Sequence, residues 1–270
     1  MTEAECLPVT VVTGASEGLG LALAYEFARA GHALLLVARG RAALKTAAHK
    51  IRDETGVRVA IHAADLATRA GCKSVEAALG RQGLYGEYLV NNAGIGLSGP
   101  LAENEHDALM RLVDLNIRAV SDLSRRLLPD MIARDSGGIL NVASLAGFIP
   151  GPYQAAYFAS KACVISLSEA LAHELAVTNV RVSVFAPGPL ATRFHERMGS
   201  DSAYYLRFQG VSSAEQVART AYAHFMLGRR VIVPGIVNMV SAAFLRVLPH
   251  TFLVPFSGWL LKPREERANV

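Results

Sequence analysis

The chain has 270 residues, of which 51% are apolar and 19% charged, with a net charge of +4. That length suits one α/β domain with a sizeable core, and the composition excludes a disordered tail-like protein. The basic residues are scattered without interleaved aromatics, which argues against nucleic-acid binding. Cys6, Cys72 and Cys163 lie far apart; such spacing fits neither a disulfide framework nor a zinc site, so a cytoplasmic location and no metal are expected. The N-terminal stretch is short and acidic, and no secretory signal is expected from it.

Apolar runs that read as buried parallel strands recur along the chain, over residues 9–12, 33–38, 57–63, 88–90, 138–143, 181–186 and 231–233. Helical stretches separate them. That alternation predicts a Rossmann-type α/β fold, a doubly wound parallel sheet of about seven strands covered by helices on both faces. Ligands of such sheets bind beyond the carboxyl ends of the strands.

The first strand leads into Thr13-Gly14-Ala-Ser16-Glu17-Gly18-Leu19-Gly20 and then into a good helix over 21–28. Glycines there let the backbone approach a pyrophosphate, and the helix N-terminus offers free N–H groups. The second strand ends in Ala38 and is followed by Arg39-Gly40-Arg41. A carboxylate at that place binds the ribose of NAD; an arginine suits the 2′-phosphate of NADP. Arg39 thus favours NADP(H) over NAD(H). Glu17 points the other way, unless it turns outward or pairs with Arg39.

Asp65-Leu66 follows the third strand, Asn91-Asn92-Ala93-Gly94 the fourth and Ser144 the fifth. Tyr157-Phe-Ala-Ser-Lys161 comes next; its tyrosine and lysine, four residues apart, share one face of a helix. An ammonium beside a phenol favours the phenolate, which turns a poor acid/base into a usable one. An ordinary amphipathic helix carries the same spacing, so this pair means little alone. Pro187-Gly188 follows the sixth strand, and Asn116 lies within a helical stretch.

Taken in order, Thr13-Gly14-x-x-x-Gly18-x-Gly20, Asn91-Asn92-Ala93-Gly94, Asn116, Ser144, Tyr157-x-x-x-Lys161 and Pro187-Gly188 resemble the short-chain dehydrogenase/reductase family over about residues 8–240. The resemblance implies a catalytic set of Asn116, Ser144, Tyr157 and Lys161. Ser144 would hold a carbonyl oxygen, Tyr157 would protonate it, and Lys161 would tune the tyrosine and hold the nicotinamide ribose. Asn116 would hold a water behind Lys161. It also implies cofactor contacts from Gly14, Ser16, Glu17, Gly18, Leu19 and Gly20 at the pyrophosphate and Asp65 and Leu66 at the adenine. Asn92, Ala93 and Gly94 would pass the adenine ribose, and Pro187, Gly188, Leu190 and Thr192 the nicotinamide. A homodimer or homotetramer is implied as well.

Residues 190–211 fall where this family keeps a lid. Phe194, Met198, Tyr204, Tyr205 and Phe208 stand there among Arg193, Arg197 and Arg207, which favours a bulky or apolar carbonyl substrate, one with an anionic end included. Residues 145–149 and Tyr153 would form the opposite wall. The extension 236–270 is unusually apolar up to residue 261, interrupted by Arg246, His250, Pro249 and Pro255. It reads as two short helices, 239–247 and 252–261, that cover the pocket, meet a second subunit or rest in a membrane interface. The expected protein is one domain over 1–270 and a reductase; a nucleotide-sensing binding protein and an isomerase or lyase on the same fold are the alternatives.

Overall fold

The computed structural model describes residues 6–199 and 212–262. Seven parallel strands form one sheet in the order β3-β2-β1-β4-β5-β6-β7. They are β1 (Leu7–Thr13), β2 (Leu34–Ala38), β3 (Val59–Ala63), β4 (Leu84–Asn91), β5 (Gly138–Val142), β6 (Arg181–Phe185) and β7 (Val231–Ile232). Successive side chains of a strand point to opposite faces, so a sheet buried on both sides needs apolar residues at consecutive positions. Leu34 and Leu36 of β2 accordingly pack on one face, against Leu23 and Phe27 of α1 (Gly18–Arg29) and Leu44 and Ile51 of α2 (Arg41–Thr55). Leu35 and Val37 pack on the other, with Val75 and Leu79 of α3 (Arg69–Arg81) and Leu123 and Leu127 of α5 (Ala119–Ala133).

The fourth strand is longer than its apolar run, because Gly86 and Glu87 interrupt the pattern. The register with β1 slips there: Val9 pairs with Gly86 and Thr10 with Tyr88, so Glu87 is bulged out. Gly86 lies beneath α5, where a Cβ would stand 3.2 Å from Leu127 Cδ1.

Between β4 and β5 the chain forms α4 (His106–Val113), a π-helical turn (Asp114–Arg118) and α5. A short 3₁₀ turn (Leu145–Phe148) follows β5 and leads to α6 (Ala155–Glu174), the longest helix among the described residues. Gly147 lets that turn lie directly on α6, since a Cβ would meet Ile165 Cδ1 at 2.6 Å and Lys161 O at 2.8 Å. After β6 come α7 (Phe194–Met198), α8 (Ala214–Met226) and β7, then α9 (Ile236–Val247) and α10 (His250–Leu261).

A buried polar thread sets α6 on the sheet. Asn91 Nδ2 donates to Asn141 Oδ1 (2.9 Å) and Ser124 Oγ (3.2 Å), and Asn141 Nδ2 donates to Ser168 Oγ (2.9 Å). All four residues are buried. The thread ties β4 and β5 to α5 and α6, and through α6 it fixes the height of Tyr157 and Lys161 above the strand ends.

Candidate active site

The carboxyl ends of the central strands open into a cavity of about 1290 Å³. The glycine turn forms one end. Gly14 and Gly18 have φ of 65° and 57°, the left-handed region that favours glycine. Gly20 stands so close to the turn that a Cβ would meet Gly14 O at 2.3 Å and Asn92 Nδ2 at 2.4 Å. Thr13 Oγ1 accepts from the Asn92 and Ala93 N–H groups, and Asn92 Nδ2 donates to Thr13 O. Asn92 and Ala93 thus brace the turn. No side chain caps the N-terminus of α1, which leaves N–H donors and the positive end of the helix dipole facing the cavity.

Ser16, Leu19, Arg39, Leu66 and Gly94 also line this end. Arg41, by contrast, opens α2 and is not among the lining residues. Asp65 lines the cavity but is not the N-cap of α3, a part taken by Thr68, whose hydroxyl accepts from Gly71 N. Partial desolvation opposes ionisation of Asp65. Two hydrogen bonds from Arg111 (2.8 and 2.9 Å), one from Ala67 N and the charge of Arg39 outweigh it and hold the carboxyl below its ordinary range. Arg111, on α4, carried no motif that would mark it in the sequence.

Glu17 pairs neither with Arg39 nor with bulk water alone. Arg193 Nη2 donates to it at 2.5 Å and Arg197 Nη1 donates to its other oxygen. The Arg197 bond lowers the Glu17 pKa most; the Arg193 bond and both charges add to it against a desolvation penalty. Arg193 precedes α7 and Arg197 lies within it, in the described part of the predicted lid. Parallel bridging between Leu190 and Ser212 pins the lid's two ends together, and Gly18 faces Thr192. Tyr204, Tyr205, Arg207 and Phe208 lie outside the described residues.

The other end of the cavity is apolar. Leu145, Ala146 and Ile149 line it, with Phe194 and Met198 from the lid. Leu245 of α9 and Leu260 and Leu261 of α10 complete the wall. Tyr153, expected in that wall, is not among the lining residues; its backbone is left-handed (φ 64°) and its carbonyl accepts from Gly99 N.

Ser144, Tyr157 and Lys161 line the cavity too, as do Pro187, Gly188, Leu190 and Thr192. Tyr157 and Lys161 belong to the buried stripe of α6, with the ammonium 5.8 Å from the tyrosine ring centroid. The ring of Phe194 tilts against Tyr157 at 5.6 Å. Burial lowers the Lys161 pKa to about 8. Its ammonium donates to Val142 O at 3.0 Å; an ammonium has three donors, so two remain for a ligand among the described residues.

Asn116, in the π-helical turn, does not line the cavity. Its Oδ1 accepts from Ile95 N (2.9 Å), while Nδ2 donates to Ile95 O (2.8 Å) and Ser160 Oγ (3.0 Å). A Cβ on Gly94 would fall 3.2 Å from Asn116 Oδ1 and 3.5 Å from Lys161 Nζ. Asn116 therefore fastens the segment that passes over Lys161. Ser160, which also donates to Tyr157 O, escaped sequence reading because a serine inside a helix carries no signal of its own.

Uncapped N–H groups, a glycine cradle and a buried ammonium with donors to spare suit a dinucleotide. Residues 8–203 match the short chain dehydrogenase family. The chain belongs to that family. It is an oxidoreductase, and this dehydrogenase is similar to a short chain dehydrogenase of Pseudocercospora fijiensis, 37% identical over 184 residues that make up 66% of this chain and 58% of the relative. It therefore spans little more than half the length of that relative. Among solved structures, the dehydrogenase resembles a short-chain dehydrogenase from Sphingobium yanoikuyae in complex with NADPH (TM-score 0.78, 31% identity, covering 90% of this chain and 97% of the other). It also resembles the bulky-bulky ketone specific alcohol dehydrogenase from Comamonas testosteroni (TM-score 0.74, 27% identity, 90% and 96% covered).

Proposed function

We propose that this dehydrogenase interconverts a bulky or apolar ketone or aldehyde and its alcohol, using NADP(H), with Tyr157 as the general acid/base. One observation carries the reading: Tyr157 and Lys161 share the buried stripe of α6 and line a cavity whose glycine-turn end suits a dinucleotide and whose other end is apolar. The glycine turn would hold the dinucleotide's pyrophosphate and Pro187, Gly188, Leu190 and Thr192 its nicotinamide, which would supply or accept the hydride when bound. Ser144 donates a hydrogen bond to the substrate oxygen and holds it beside Tyr157. Tyr157 gives that oxygen its phenolic proton in reduction and takes it back in oxidation. Lys161 stabilises the negative charge that the departing proton leaves on Tyr157. Asn116 acts behind them, holding Ile95 and Ser160 and, by resemblance, a water of the proton relay.

Three features support NADP(H) over NAD(H). Arg39 follows β2 on the cavity wall where a ribose-binding carboxylate would stand. Glu17 is neutralised by two arginines, so it does not repel a phosphate. The similar Sphingobium enzyme was solved with NADPH. The apolar end of the cavity, and the likeness to an enzyme for ketones bulky on both sides, support the substrate class.

Loss of NADPH absorbance against a panel of ketones and aldehydes, with NADH in parallel, tests the proposal. Turnover should favour NADPH and bulky substrates. Tyr157→Phe should abolish it while leaving nucleotide affinity intact, and Ser144→Ala should lower kcat by about 10²–10⁴. Retention of more than a few per cent of activity in Tyr157→Phe would remove the tyrosine from its role. Nucleotide binding with no turnover across the panel would favour a sensor instead.

A further inference from the structure

Ten of the 17 exposed large apolar side chains among the described residues lie within residues 236–259. On α9 they are Ile236, Val237, Met239, Val240, Phe244 and Val247; on α10, Phe252, Val254, Phe256 and Trp259. Both helices are therefore apolar on two faces. The inner faces wall the cavity through Leu245, Leu260 and Leu261, and the outer faces meet solvent, with Val237 and Phe252 still 79% and 71% exposed. Large apolar side chains exposed in this number on two successive helices mark an interaction site.

Charge decides what the site fits. No Asp or Glu occurs between Glu215 and Glu265, whereas Arg246 stands within the first helix and Lys262 directly follows the second. A two-fold contact sets a patch against its own copy. Here that would set the cations of one copy against those of the other with no carboxylate on either helix to pair with them. The headgroup layer of an anionic bilayer supplies the missing negative charge and accepts aromatic and aliphatic side chains beneath it. Each helix has 12 residues, about 18 Å of length against a hydrocarbon core of about 30 Å. No helix among the described residues is long and apolar enough to cross a membrane. Lying in the interface is the geometry left to them.

We infer that the outer faces of α9 and α10 form a peripheral docking surface for a bilayer containing anionic phospholipid. The docked helices are also the wall of the cavity's apolar end, so carbonyl compounds dissolved in lipid gain a short route to it. That consequence rests on the proposed reductase reading; the docking itself does not.

Trp259, the one tryptophan of the chain, lies on this surface and reports on it. The full chain, without nucleotide or substrate, is titrated with vesicles of phosphatidylcholine alone or mixed with phosphatidylglycerol. Expected are a blue shift of Trp259 emission, quenching by brominated acyl chains, and co-sedimentation that is stronger with the anionic lipid and weakened by salt. Phe252→Asp/Phe256→Asp should weaken vesicle binding by at least about tenfold while NADPH affinity and thermal unfolding stay unchanged. Absence of binding to either vesicle overturns the inference. So does a lipid-free, concentration-dependent blue shift that accompanies dimer formation by light scattering and is lost in the same variant, which would make a second copy the occupant. Because no arm reads turnover, failure here leaves the reductase reading untouched, and the reverse also holds.

Discussion

Lys161 carries its charge where burial disfavours it, and that tension yields two predictions. Its pKa falls to about 8 from an ordinary 10.5. Between those values the unfolded chain holds a proton that the folded chain has released, so stability rises with pH across that window. The cost of the buried charge, on the order of 3 kcal/mol, is present in full below pH 8 and gone near 10.5. Lys161→Met removes the titration. The stability of wild type relative to this variant, from urea unfolding at several pH values, should increase between pH 8 and 10.5 and stay level below 8. The proposed mechanism needs the charged form, so turnover should decline as pH rises through about 8. A flat profile from 7 to 9 would detach Lys161 from the chemistry. Gly20 is a second pressure point: Gly20→Ala should lose nucleotide binding, measured by fluorescence titration, because its Cβ would drive into Gly14 O and Asn92.

At the scale of elements, two devices hold the site's parts together. The lid is tied to the glycine turn by Glu17, Arg193 and Arg197. Exposed ion pairs are worth little individually, and salt screens them. Glu17→Gln should therefore leave overall stability nearly unchanged while speeding tryptic cleavage after Arg193 or Arg197, and added salt should do the same to wild type. The thread Asn91–Asn141–Ser168 is a buried counterpart. Asn141→Ala removes one hydrogen bond each from the Asn91 amide and the Ser168 hydroxyl, which keep Ser124 Oγ and Val164 O as partners, at about 0.5–1.5 kcal/mol for each bond lost; a lower urea midpoint would register it. Sequence reading found both strands that bear this thread but not the thread, because two asparagines fifty positions apart show no periodicity that links them. It named Glu17 and both arginines, yet offered Glu17 only an outward turn or Arg39. Their pairing depends on where a loop 176 residues downstream comes to rest.

Over the whole molecule, the cavity joins two chemistries. Polar backbone and charge sit at the glycine turn, and apolar walls come from α6, α7, α9 and α10. Variants at the two ends should separate accordingly. Leu245→Ala and Leu260→Ala are expected to raise KM for bulky ketones several-fold with little change in NADPH affinity, since the side chains line only the apolar end. Equal losses in both quantities would mean that the C-terminal helices support the cofactor end as well.

The sequence by itself determined the sheet, its parallel sense and the order of the site residues. A strand buried on both faces must be continuously apolar, and a glycine turn must precede its helix; both are local constraints written in consecutive residues. The tertiary structure alone decided the partners. It gave Glu17 to the lid, Asp65 to Arg111, and Asn116 to the backbone of Ile95. It also turned one face of the C-terminal helices into the cavity and left the other outside. Such pairings join residues distant along the chain, and only the closure of βαβ units over one sheet brings them within hydrogen-bonding or packing distance.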